Sequence, residues 1–178
     1  MPAPQRRHMN SRVRAILIIA AVILLDRISK AYIRVRVPEW DVIPVIPGFF
    51  NIDHTENTGA AFGMFAQSAS QWRPLLLIGI SVVVMAIIAP MLWRAAKSGG
   101  VTALMQTGLA FVFGGAAGNL WDRLFRGSVT DFLQFFFGSY EFPSFNAADS
   151  SIFVGACLLL IDMWMTRKGT GVGGQGQE

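Results

Sequence analysis

From Leu75 to Leu92 the chain runs without a single charged residue, and no other feature constrains its fold as strongly. A helix crossing the hydrocarbon core of a bilayer needs about 20 mainly apolar residues, so this run can span, with Pro74 where a first helical turn tolerates it. Three further segments approach the same length, and the expected spans are 13–35, 72–93, 101–121 and 149–165. Of the 178 residues 53% are hydrophobic and 15% charged, where a soluble domain carries about 25% charged residues. Lipid is the solvent such a composition fits. The expectation is a mainly α, integral membrane chain of four transmembrane helices forming one embedded domain over residues 1–168. The glycine-rich tail 169–178 is expected to be disordered.

Arg6, Arg7, Arg12 and Arg14 before an apolar run resemble the start of a cleavable leader, but Asp26-Arg27 stands where small cleavage-site residues belong. The segment therefore reads as a retained first helix. The net charge of +4 comes from 15 Lys+Arg and 11 Asp+Glu, with the bases gathered at the ends and in short loops. They read as topology signals and give no nucleic-acid patch. Counting them places both termini on the cytoplasmic side. The single cysteine, Cys157, lies in an apolar run and reads as a small buried hydrophobe.

In the third span, Gly114-Gly115-Ala116-Ala117-Gly118 sets small residues four apart on one face, which lets backbones approach and predicts a central helix. The outer loop 36–71 is β-rich and punctuated by proline, as suits a small sheet on the membrane. The loop from Phe132 to Phe145 is crowded with aromatics. Resting in the interface and packing beneath the sheet both fit it.

Ionisable groups beside apolar spans are costly and therefore informative. Asp26 and Lys30 lie one helical turn apart and can pair, although substrate contact is an alternative. Asn57 and Gly59 sit in a tight-turn sequence where an asparagine amide could meet a peptide backbone. The third group is Asn119, Asp122 and Arg123, followed by Asp131 and, eighteen residues later, Asp149. Asp122 and Arg123 also fit a plain ion pair at a helix end, and Asp149 a helix cap. Two neighbouring carboxylates cannot both ionise cheaply, so they share a proton and divide into a base and an acid. Such a pair hydrolyses an amide through an activated water, with no metal or cofactor. The two histidines, His8 and His54, give little support to a Ser/His, Cys/His or zinc site. A proton-coupled transporter is the rival reading, but it would spread its acids through the membrane depth, whereas Asp122, Asp131 and Asp149 gather at one face.

Five ordered blocks then resemble a known family. They are Asp26-Arg27-Ile28-Ser29-Lys30; Asn57-Thr58-Gly59-Ala60-Ala61-Phe62-Gly63; Gly114 to Asn119 with Asp122-Arg123; Gly127-Ser128-Val129-Thr130-Asp131-Phe132; and Phe142-Pro143-Ser144-Phe145-Asn146-Ala147-Ala148-Asp149. Together they are similar to the signature blocks of bacterial lipoprotein signal peptidases, the signal peptidase II family. The resemblance implies an aspartic endopeptidase of the bacterial inner membrane that cuts diacylglyceryl-modified prolipoproteins just before the lipidated cysteine. It implies Asp131 and Asp149 as catalytic residues, and Asn57, Asn119, Arg123 and Asn146 as residues lining the substrate site. Asp26, Lys30, Gly59 and Asp122 match supporting positions. The resemblance further implies a small extracytoplasmic β-rich cradle and sensitivity to globomycin-type inhibitors; the helix directions put the active site near the periplasmic face, and a monomer in membrane lipid is expected because one chain can complete the site.

The orientation is testable directly. A topology reporter fused after Lys168 is expected to be active on the cytoplasmic side only, and activity confined to the outer face would reverse the assignment.

Overall fold

A computed structural model describes residues 10–59, 72–98 and 101–170. Expectations for the tail beyond Thr170 and for Ala60 to Gly63 fall outside those residues. In chain order the elements are α1 (Ser11–Arg36), β1 (Val42–Ile46), β2 (Phe50–Asn57), α2 (Trp72–Ser98), α3 (Ala103–Phe125), β3 (Val129–Phe137), β4 (Tyr140–Phe145) and α4 (Ala147–Thr170). Asn10 caps α1 by accepting the Arg12 N–H at 3.0 Å, and Thr102 caps α3 by accepting that of Met105, also at 3.0 Å.

The helices are apolar outside and polar inside. Ile16, Leu24, Leu75, Phe153 and Leu160 are each at least 60% exposed, whereas Asp26, Lys30 and Asp122 are fully buried. Water would penalise the exposed apolar faces where lipid does not, and the buried charges persist because they are paired with one another. Within the described residues, Pro74–Arg94 and Ala147–Arg167 are long and apolar enough to cross a membrane. In α1 the run is interrupted by Asp26, Arg27 and Lys30, and in α3 it is diluted by Gln106, Asn119 and glycines. Cys157 is half-buried rather than enclosed.

α3 is the central helix, packed against α1, α2 and α4. The small residues read from the sequence make this contact possible. A Cβ at Gly115 would lie 2.4 Å from the Ala148 carbonyl oxygen, and one at Gly118 would lie 2.7 Å from Asp26 Oδ2. Between α1 and α3, Lys30 Nζ reaches Asp26 Oδ1 and Asp122 Oδ2, each at 2.8 Å. Arg27 completes the set, 2.6 Å from Asp122 Oδ2 and 3.1 Å from Asp26 Oδ2. Asp122 therefore pairs across to α1 and not with its neighbour Arg123. Two acids and two bases leave the cluster neutral, and removing one partner from such a buried set typically costs about 3–5 kcal/mol.

The four strands form one antiparallel sheet in the order β1-β2-β3-β4. The sheet is larger than loop 36–71 alone supplies, because the aromatic segment after α3 folds into β3 and β4. Positive φ at Gly127 (77°) and Gly138 (65°) makes the turns on either side of β3. Its rings pair across strands: Phe135 stacks on Phe50 at 4.7 Å and on Phe145 at 5.8 Å. The register sets Thr55 opposite Asp131, Glu56 opposite Thr130 and Asn57 opposite Val129. Ile33 of α1 and Val37, which caps that helix, pack on Phe132 of β3, which seats the sheet on the helices.

Gly115→Ala is expected to lower the stability of the detergent-purified protein by about 1–3 kcal/mol, because the new methyl must push α3 and α4 apart. An unfolding transition that stays in place would show that the two helices separate at no cost.

Candidate active site

Asp131 and Asp149 come from different kinds of element. Asp131 lies on strand β3 and not on a helix end, whereas Asp149 lies in the first turn of α4. The β4 strand between them returns the chain over so short a distance that Asn146, directly before α4, touches both. Its side-chain amide donates to Asp131 Oδ1 at 2.7 Å, and its backbone N–H donates to Asp149 Oδ2 at 3.2 Å. Two further amides complete the set. Asn57 Nδ2 donates to Asp131 Oδ2 at 3.0 Å, and Asn119 Nδ2 donates to Asp149 Oδ1 at 2.7 Å.

Asn57 is presented by the end of β2, held there by the Gly59 N–H, which donates to its Oδ1 at 2.9 Å. Gly59 has φ of 112°, a conformation that side-chain-bearing residues rarely adopt, so the glycine matters to the amide it braces. Arg123 is one turn beyond Asn119 on α3, its Nη1 3.5 Å from the Asn119 carbonyl oxygen. With Asn119, Asp149, Ala116 and Ile152 it lines a cavity of about 320 Å³ whose far wall is Ile80, Ser81 and Val84 of α2. The structure thus brings together Asn57, Asn119, Asn146, Asp131 and Asp149, with Arg123 alongside. Asp26, Lys30 and Asp122 lie one layer behind.

Asp131 is 4% exposed, and the absence of water dominates its titration. Burial and, after it, the neighbouring charge of Asp149 push its carboxyl up to about 7, against the opposing bonds from Asn57 and Asn146 and the charge of Lys30. A carboxyl that still holds its proton near neutrality, beside a second carboxylate, is what acid–base hydrolysis of an amide requires. No group of His, Cys, Asp and Glu suited to a metal ion occurs among the described residues.

A third carboxylate nearby was given no role by the sequence alone. Glu56, adjacent to Asn57, accepts hydroxyl hydrogen bonds from Ser128 and from Thr130, the latter at 2.8 Å, and Thr130 in turn accepts from Arg34 at 3.0 Å. Burial pushes the Glu56 carboxyl up, but these hydroxyls, His54 and the Arg126 charge outweigh it and hold the group below its usual range. His54, read as a lone imidazole, is buried with Nδ1 2.7 Å from the Val37 carbonyl oxygen and Nε2 3.3 Å from Glu56. Together these groups clamp β2 to β3 at the place where Asn57 meets Asp131. Only the cross-strand register reveals them, since nothing in the sequence places position 56 opposite position 130.

Comparison with known proteins follows the same lines. A family model described as signal peptidase (SPase) II matches residues 18–165. The lipoprotein signal peptidase of Solibacter usitatus is 43% identical over 157 residues, covering 88% of this chain and 94% of that protein. The lipoprotein signal peptidase of Maridesulfovibrio salexigens is 35% identical over 159 residues, covering 89% of this chain and all (100%) of that protein. Two solved structures of bacterial membrane enzymes superpose with TM-scores of 0.76 and 0.73 at 29% and 30% identity, covering 96% and 88% of this chain and 99% and 97% of theirs.

Because the Asp131 carboxyl is raised from 3.8 to about 7, the folded chain keeps a proton that the unfolded chain releases above about pH 4. Its contribution to stability is full below that value and is lost as pH rises towards 7. Comparing unfolding midpoints of the native chain and Asp131→Asn across this window isolates the effect. The difference between them should change steadily with pH, and a constant difference would mean that Asp131 titrates as an ordinary carboxyl.

Proposed function

Because the chain belongs to the signal peptidase II family, we propose that it is a membrane-embedded aspartic endopeptidase that removes the signal peptide from diacylglyceryl-modified prolipoproteins, cutting just before the lipidated cysteine. Asp131 and Asp149 are its catalytic pair, and the observation that carries this reading is Asn146, which donates to both carboxyls at once. In the resting enzyme one aspartate is ionised and the other protonated. The ionised carboxylate takes a proton from a water molecule, whose oxygen attacks the scissile carbonyl carbon. The protonated partner hydrogen-bonds the carbonyl oxygen as negative charge develops there. The tetrahedral intermediate collapses with cleavage of the C–N bond, and the leaving nitrogen, which becomes the amino group of the lipidated cysteine, takes up a proton from the pair.

Asn57, Asn119 and Asn146 hold the two carboxyls in register for this exchange, and Arg123 stands where it can meet the substrate backbone. The cavity between α2, α3 and α4 suits the substrate as well. Its walls are apolar at Ile80, Val84, Val112 and Ile152, with Ser81 the one hydroxyl on the α2 side, and its charged groups are at the end bearing Asn119, Arg123 and Asp149. A signal peptide is an apolar helix, so it can enter sideways from the bilayer while its acyl chains remain in lipid. Four helices crossing the inner membrane, with both termini cytoplasmic, place the sheet and the pair at the periplasmic face. A monomer suffices, because all the named groups come from one chain.

Purified Asp131→Asn and Asp149→Asn are each expected to lose about 10³-fold or more in kcat on a diacylglyceryl-modified precursor while still inserting and folding. Near-native turnover by either variant would remove the dyad. Globomycin should inhibit the native enzyme at the same step, and precursor cleavage that ignores it would separate this enzyme from the proposed specificity.

A further inference from the structure

The two aspartates look equivalent in that each accepts two N–H hydrogen bonds. What holds the donors is different. On the Asp131 side, the amide oxygens of Asn57 and Asn146 are fixed by backbone N–H groups, from Gly59 at 2.9 Å and from Asp149 at 3.1 Å. Both anchors are neutral. On the Asp149 side, the oxygen of Asn119 accepts from the ammonium of Lys30 at 2.9 Å.

An ammonium has three hydrogens to donate and no lone pair to accept with. Lys30 spends all three, on Asp26 Oδ1, Asp122 Oδ2 and Asn119 Oδ1, within a site where its side chain is fully buried. Asn119 therefore has one available orientation. Turned over, it would set its own NH2 against the ammonium and its oxygen against Asp149, two repulsions at once. Its NH2 must point at Asp149 Oδ1, which it meets at 2.7 Å. A hydrogen-bonded chain thus runs from a buried cation, through a polarised amide, to one aspartate of the pair and not to the other.

We propose that Lys30 is a positioning residue of the aspartate pair: acting through Asn119, it holds the negative charge on Asp149 and leaves the shared proton to Asp131. This rests on the dyad reading above and adds to it a direction for the proton. Asp149 is then the group that takes the proton from water, and Asp131 the acid that meets the carbonyl oxygen. Two independent features point the same way. Asp149 is in the first turn of α4, where the helix dipole favours an anion, and Arg123 lines the cavity beside it.

The charged groups around this chain are Asp26, Arg27 and Lys30 from α1, Asp122 and Arg123 from α3, and Asp131 from β3. The α2 residues on the cavity wall are Ile80, Ser81 and Val84, none of which is charged. Asp26 and Asp122 are balanced by Arg27 and Lys30, so deleting Lys30 alone would strand an acid. The double variant Lys30→Met/Asp26→Asn keeps the cluster neutral and isolates the link.

The experiment is the pH dependence of precursor cleavage by full-length purified enzyme in detergent, with an unfolding scan on each variant. Losing the cation raises the proton affinity of Asp149, so the acid limb of the kcat profile should move to higher pH. For the loss of a hydrogen bond to an ionised group the shift is about one to two pH units. For the double variant, whose changes lie behind the cavity, KM should stay where it is. Asn119→Leu leaves all four charges in place and should produce the same shift even if the double variant fails to fold. Combining Asn119→Leu with the double variant should add nothing further, because both cut one chain. A folded variant of either kind whose acid limb stays put overturns the proposal, as does a fully additive combination. Should Asp131→Asn and Asp149→Asn also retain activity, the dyad itself has failed; if they are dead and only the limb is unmoved, the fault lies with the Lys30 link alone.

Discussion

Four charges between two helices, three of them fully buried and Arg27 partly so, organise the rest of this molecule. Asp26 and Lys30 have no exposure to solvent, and Asp122 faces them from α3 with none either. In lipid such groups persist only when matched, and here the match fixes the rotation of α1 against α3 about their long axes. The same cluster also reaches α4. The Ala148 N–H donates to Asp26 Oδ1 at 3.2 Å, tying the first turn of α4 to α1 one residue before Asp149. Van der Waals packing alone discriminates weakly between helix faces in a bilayer, since lipid tails are as apolar as leucine. A neutral set of charges discriminates strongly, because any other rotation would leave one of them unpaired.

The glycines of α3 let that cluster close. Gly115 brings the α4 backbone within a distance that no side chain permits, and Gly118 does the same for the Asp26 carboxylate. Close approach of backbones and pairing of charges are therefore one design: the first allows short ionic contacts, and the second rewards them. Further along the helices, polar contacts hold the same partners together. Arg14 donates to Gln106 between α1 and α3, and the Thr102 hydroxyl donates to Asp162 between α3 and α4.

The sheet supplies what the bundle cannot. A helix offers an inward-facing residue only once per turn, whereas strand β3 presents Asp131 beside its cross-strand neighbours. The carboxyl thereby receives two amides from opposite directions, Asn57 from β2 and Asn146 from the chain leaving β4. Asp131 is raised to about 7 first by burial and only then by Asp149, so the apolar surroundings are themselves part of the chemistry. The three asparagines prevent those surroundings from becoming prohibitive, since each carboxyl oxygen keeps an N–H to accept.

A great deal of this could be read from residue order alone. The charge-free stretch from Leu75 to Leu92, the spacing of Asp26 and Lys30 and the small residues of α3 each state a local requirement, and helical periodicity converts it into a face. The partners of those faces were not legible. Asp122 stands next to Arg123 in the sequence but pairs with α1, because the helix points adjacent side chains about 100° apart. Phe132 to Phe145 fitted both an interfacial segment and packing beneath the sheet, and its folding into β3 and β4 has meaning only once β2 lies alongside. Sequence determined the chemical groups, the apolar solvent and the local periods, all properties of neighbours along the chain. Tertiary structure decided that Asp131 would arrive on a strand, that Glu56 would brace it through Thr130, and that Lys30 would reach Asp149 through a single amide. Those contacts join residues 30 to 89 positions apart, and only packing in three dimensions determines which distant groups share the same few ångströms.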